Sequence, residues 1–101
     1  MDIKIKPFNP NVLSKCIVKK EVIEVPKKDN SGLPLIKYAL HFYTKKGDIL
    51  IKYNSEDNHP DLLLYESARW NVRCFNRDIE KIFISGVEDN FITYIIIEKL
   101  P

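Results

Sequence analysis

The sequence predicts an α+β domain, an antiparallel sheet of five or six strands with one helix packed on a face, from three observations. Residues 91–97 are the longest uncharged run, almost entirely β-branched or aromatic. Residues 36–42 and 49–53 alternate apolar and polar side chains at period two on either side of a short turn. Beyond a helix start at 57–61, Glu66, Arg69 and Arg73 fall on one narrow helical stripe, with apolar side chains over the remaining arc. An all-β SH3-like small barrel is the alternative, reached if that last stretch is a hairpin. With 101 residues, 45% apolar and 30% charged, the chain has the composition of a single globular domain spanning 1–101.

Taken in order, Ile3 and Ile5 alternate with Lys4 and Lys6, the pattern of a short edge strand ended by Pro7. Residues 12–25 are extended by composition. Their apolar phase shifts between Cys16 and Val18 on one parity and Ile23 and Val25 on the other, which predicts a bulge or tight turn at Lys19-Lys20-Glu21. Residues 26–32 are the clearest loop and the expected site of greatest mobility. Ile36, Tyr38, Leu40 and Phe42 then form a half-buried strand. After the turn Lys45-Lys46-Gly47-Asp48, Ile49, Ile51 and Tyr53 form the next strand, with Thr44 expected opposite Ile49 and Phe42 opposite Ile51.

Asn58 or His59 is the candidate cap of the helix, with Pro60 in the first turn and Asp61 near its positive end. Glu66, Arg69 and Arg73 would share one stripe, and Leu63, Leu64, Ala68, Trp70, Val72 and Cys74 would face the sheet. The rival reading makes strands of 62–65 and 69–75. Residues 79–84 are a further strand, turned by 86–90 into the run 91–97. In that run Phe91, Ile95 and Ile97 face one way and Ile92, Tyr94 and Ile96 the other, which predicts a central strand covered on both sides.

Two short resemblances follow from these residues. His59-Pro60-Asp61 resembles the tripeptide of J-domain co-chaperones, over three residues and without the basic helix that precedes it in that family. Pro60, Leu62-Leu63-Leu64-Tyr65 and Arg69-Trp70-Asn71-Val72 are similar to the Trp-containing hairpin of WYL regulatory domains, which implies an SH3-like fold and the sensing of ligands or nucleic acid. Asn71-Val72 stands where that family has Tyr-Leu, and its arginine-rich continuation is reduced to Arg77.

Sixteen Lys and Arg against 14 Asp and Glu give a net charge of +2, too small an excess to dictate a polyanionic partner. Cys16 and Cys74 lie among apolar neighbours and read as buried thiols rather than a disulfide or metal pair. His41 and His59 supply no ligand spacing for zinc, and no cofactor is implied. Neither cysteine has the polar setting that activates a thiolate, so no enzyme is predicted. The N-terminus has no apolar signal segment and seven apolar residues cannot span a bilayer, so a cytoplasmic location without membrane contact is expected.

By elimination the predicted function is that of a small protein-binding module, an inhibitor or adaptor of phage or accessory-gene type, with homodimerisation allowed. Its partner surface is assigned to Tyr65, Arg69, Trp70 and Arg73, since aromatic residues and Arg dominate interface energies. Trp70 has a competing role in the core. The alternative is a nucleic-acid-binding accessory protein using the pairs Lys19 and Lys20, Lys27 and Lys28, and Lys45 and Lys46 together with Arg77. That requires these cations to gather on one face, and acids flank each cluster.

Overall fold

The computed structural model describes residues 11–57 and 62–101. Eight strands follow one another: β1 (Asn11–Ile17), β2 (Glu21–Glu24), β3 (Lys37–Lys46), β4 (Ile49–Tyr53), β5 (Leu62–Leu64), β6 (Arg69–Phe75), β7 (Lys81–Gly86) and β8 (Ile92–Lys99). They form two four-stranded antiparallel sheets, ordered β1-β8-β3-β6 and β2-β7-β4-β5. The short links after β1, β3, β5 and β7 each carry the chain from one sheet to the other. β1 therefore lies over β2, β8 over β7, β3 over β4, and β6 over β5. This is the strand order of a jelly roll.

Period two explains why these segments pair as they do. In each strand alternate residues turn into the space between the sheets, and Ile17, Ile23, Tyr38, Leu40, Phe42, Ile49, Ile51, Ile82, Ile84, Ile95 and Ile97 are all buried there. Each such side chain contributes about 1.5–3 kcal/mol by leaving water, so the sandwich is held chiefly by this layer. Two polar side chains enter it. Thr44 and Thr93 face each other across β3 and β8, and their hydroxyls donate to the carbonyls of Gly47 (2.9 Å) and Tyr43 (3.0 Å).

The predicted α+β class is corrected: among the described residues there is no helix. The apolar arc of 62–75 is divided between β5 and β6, which belong to different sheets, with Ser67 in the left-handed region (φ 68°) at the corner between them. Leu64, Val72 and Cys74 turn inward, but Leu63 is 41% exposed, because a strand alternates its side chains where a helix would gather the arc on one side. The all-β alternative has the right class, but the strands form two open sheets rather than an SH3-like barrel. β5 and β6 are not the paired hairpin that the WYL resemblance implies. The candidate edge strand 3–6 and the tripeptide His59-Pro60-Asp61 lie outside the described residues.

The expected register of Thr44 on Ile49 is also corrected. β3 pairs with β6 and β8, and β4 with β5 and β7, so the two apolar sets meet across the core and not along one sheet. Ile17, Ile23 and Val25, all of one parity, are buried. Cys16 and Val18 are exposed, so the phase shift expected at 19–21 is a passage between sheets, and only Cys74 is a buried thiol. β8 is internal to its sheet as expected, yet only its Phe91, Thr93, Ile95 and Ile97 side is covered; Tyr94 is 37% exposed and Ile92 and Ile96 are half-buried.

The 26–32 loop, expected to be the most mobile segment, is pinned. The Asp29 carboxylate, 4% exposed, accepts from the backbone amides of Ser31 (2.8 Å) and Leu33 (3.0 Å) and from Lys99 Nζ (2.5 Å) at the end of β8.

Candidate functional site

Antiparallel partners share a face, so the register lays out the outer surface of the β1-β8-β3-β6 sheet in rows. Cys16, Tyr94, Tyr43 and Arg69 form one row, Ser14, Ile96, His41 and Asn71 the next, and Asn11, Glu98, Ala39 and Arg73 a third. The inward positions took the aliphatic residues, which leaves aromatic, amide and charged groups for this face.

In the first row the Tyr43 and Tyr94 rings stack with centroids 6.2 Å apart and planes 13° apart, and Arg69 Cζ sits 4.8 Å from the Tyr43 centroid. The result is a continuous Tyr-Tyr-Arg stack, held by offset ring packing and a cation–π contact. In the second row His41 bridges two strands: Nδ1 lies 2.9 Å from Asn71 Oδ1 and Nε2 lies 3.1 Å from Glu98 Oε1. An imidazole with both protons donates to both oxygens. With one proton, the Asn71 amide satisfies the other nitrogen by exchanging its ends. Between the rows lies an open groove of about 370 Å³ with Tyr43, Tyr94, Ile96, His41, Asn71 and Glu98 along it.

The residues assigned to partner binding are brought into one region but not onto one face. Tyr65, 63% exposed, sits at the β5–β6 corner; Arg69 belongs to the Tyr-Tyr-Arg row; Arg73 lies two rows further along β6. Trp70 points inward by parity, opposite Phe42, yet stands at the rim of the sandwich and is 45% exposed, so it is not the core residue of its competing role.

The cations proposed for nucleic acid are divided. Lys19, Lys20, Lys45 and Lys46 sit at the end of the sandwich where strands cross between sheets, among Asp48, Glu66, Glu88 and Asp89, and Lys20 is paired with Glu56 at 2.7 Å. Lys27, Lys28 and Arg77 are at the opposite end. The Arg77 guanidinium is committed to the carbonyls of Pro26 (2.7 Å) and Val25 (3.0 Å), where it anchors the chain after β2. Among the described residues these cations do not gather on the one face that the nucleic-acid alternative requires. Among the described residues no group of His, Cys, Asp and Glu is placed to hold a metal ion.

On sequence alone His41 is a solvent-facing or hydrogen-bonded strand residue with no catalytic or zinc role, and its bridge to Asn71 and Glu98 is not visible there. Those three residues are 30 and 57 positions apart and meet only through the β3–β6 and β3–β8 registers.

The sheet also ends in two backbone edges of equal length, β1 and β6, seven residues each. At the ends of the β3–β6 pairing the Thr44 amide donates to Ala68 and the Asn76 amide to Ile36. With the observed register this turns the backbone groups of Trp70, Val72 and Cys74 toward β3. Those of Arg69, Asn71, Arg73 and Phe75 turn outward, where among the described residues they meet no further strand.

No family model matches the chain, and no curated protein does. Among solved structures, one described as Bacillus endospore appendages that form a novel family of disulfide-linked pili is similar over 100% of both chains, with a TM-score of 0.44 and 10% identity. The expectations of a cytoplasmic location and of an inhibitor or adaptor of phage or accessory-gene type find no support in that comparison and are not carried further.

Proposed function

We propose that this chain is a non-catalytic structural subunit whose protein partner is a further copy of itself, the outward edge of β6 in one copy pairing with β1 of the next. The observation that carries this reading is the pair of long edges at opposite sides of one sheet that, among the described residues, pair with no further strand. β6 has neither proline nor bulge, and the irregularity of β1 is confined to Asn11/Leu13, so 13–17 stays regular. Exposed edges of this kind are templates for strand addition. Because β1 and β6 are different surfaces, the contact is heterologous: it closes into a ring only if the rotation allows and otherwise runs on as a filament.

Sedimentation velocity over a concentration series, with electron microscopy of the heaviest fraction, tests this. The wild-type chain is expected to grow beyond a dimer. Arg73→Pro removes an outward amide without touching the β3 ladder, and is expected to remain monomeric with an unchanged β spectrum. A wild-type chain still monomeric at about 1 mM, or a variant that assembles as well as wild type, contradicts the proposal.

A further inference from the structure

We infer that the groove across the outer face of β8, β3 and β6 binds a neutral, hydroxyl-rich ligand, a saccharide of one or two rings. This goes beyond the assembly reading and does not depend on it, since pairing the edges leaves the faces of the sheet open.

Charge comes first. Arg69 is laid against the Tyr43 ring and Glu98 against His41, so the two formal charges lining the groove oppose each other and each already has a partner. A strongly anionic or cationic ligand finds no net complement there.

The hydrogen-bonding groups are mixed in sign. With His41 held to Glu98 Oε1 and to the Asn71 amide, the other end of that amide and the acceptor Glu98 Oε2 remain for a ligand, while the hydroxyls of Tyr43 and Tyr94 both donate and accept. A ligand hydroxyl also donates and accepts, so a ring that carries several matches such an array without leaving a buried group unpaired.

The remaining wall is apolar. Tyr94, 37% exposed, and half-buried Ile96 offer flat hydrocarbon surface beside the polar row, suited to the C–H face of a sugar ring. All of these groups stand on paired strands, and His41 is held from both sides, so little ordering is needed on binding. The volume of about 370 Å³ lies at the small end of ligand sites, which run from about 300 to 1,000 Å³.

Saturation-transfer NMR on the full chain, read in the ligand spectrum and therefore usable whether or not the protein assembles, tests the inference. The probes are cellobiose, maltose and chitobiose, with glucuronate and glucosamine as charged comparators. At least one neutral disaccharide is expected to receive saturation, strongest at its ring C–H protons. Tyr94→Ala and Asn71→Ala, each checked for an unchanged β spectrum, are expected to weaken binding roughly tenfold or more. Leu63→Ala, on the other sheet, is expected to leave it unchanged. No transfer to any of the three at about 10 mM, a response that survives both groove variants, or a preference for either charged comparator overturns it.

Discussion

Asp29 shows how a single carboxylate organises a loop without a core of its own. Its hydrogen bond from Lys99, with those from the Leu33 and Ser31 amides, holds its carboxyl below the ordinary value of 3.8, against the opposing effect of burial. A lowered folded value means that Asp29 favours the folded chain at neutral pH. That contribution fades as the pH falls below 3.8 and through the folded value. Asp29→Asn is therefore expected to be less stable than wild type at pH 7, with the difference shrinking toward pH 3, as read from urea midpoints at both.

Cys74 gives a second residue-scale prediction: burial pushes its thiol up to about 11, while Cys16 is exposed. A thiol reagent at pH 8 is expected to modify Cys16 at once and Cys74 only when the chain is unfolded. At Gly86 an added Cβ would collide with the Glu88 carbonyl and the Phe91 ring, so Gly86→Ala is expected to cost about 1–3 kcal/mol in denaturant melts.

At the scale of elements, the corners between sheets are held by side chains from other corners. The Gly47 amide donates to Glu66 Oε1 and the Glu66 amide donates to Asp48 Oδ1, both at 2.8 Å, which locks the β3–β4 passage to the β5–β6 passage. Gly47 itself needs φ 75°, open to glycine at little cost. Glu66→Ala and Asp48→Ala are each expected to cost about 1 kcal/mol. The double variant should cost less than the sum, because both act on one corner.

The strands themselves were legible in the sequence. Tyr38, Leu40 and Phe42, then Ile49 and Ile51, alternate as they must when one side is buried. Their pairing was not legible, because alternation is the same whether the next strand lies alongside or across the core. The links after β1, β3 and β5 are short enough to read as hairpin turns or bulges. The groove was hidden for the same reason, since the meeting of His41 with Asn71 and Glu98 depends on which strands are neighbours.

For the whole molecule, the jelly-roll order has two consequences that do not compete. Among the described residues it leaves β1 and β6 as open edges of one sheet, and it turns a mixed aromatic and polar face outward between them. Edges are used up by assembly and the face remains, so an assembled chain would present the groove repeatedly along its length. A weak single-site affinity would then be multiplied for a ligand long enough to span several copies.

Amide hydrogen exchange at low and high protein concentration tests the edge-pairing claim most directly. The outward amides of Asn71 and Arg73 are expected to exchange freely in dilute solution and to become protected as the protein assembles, while those of Val72 and Cys74 are protected throughout. Assembly that leaves the Asn71 and Arg73 amides exchanging as fast as in the monomer would contradict it.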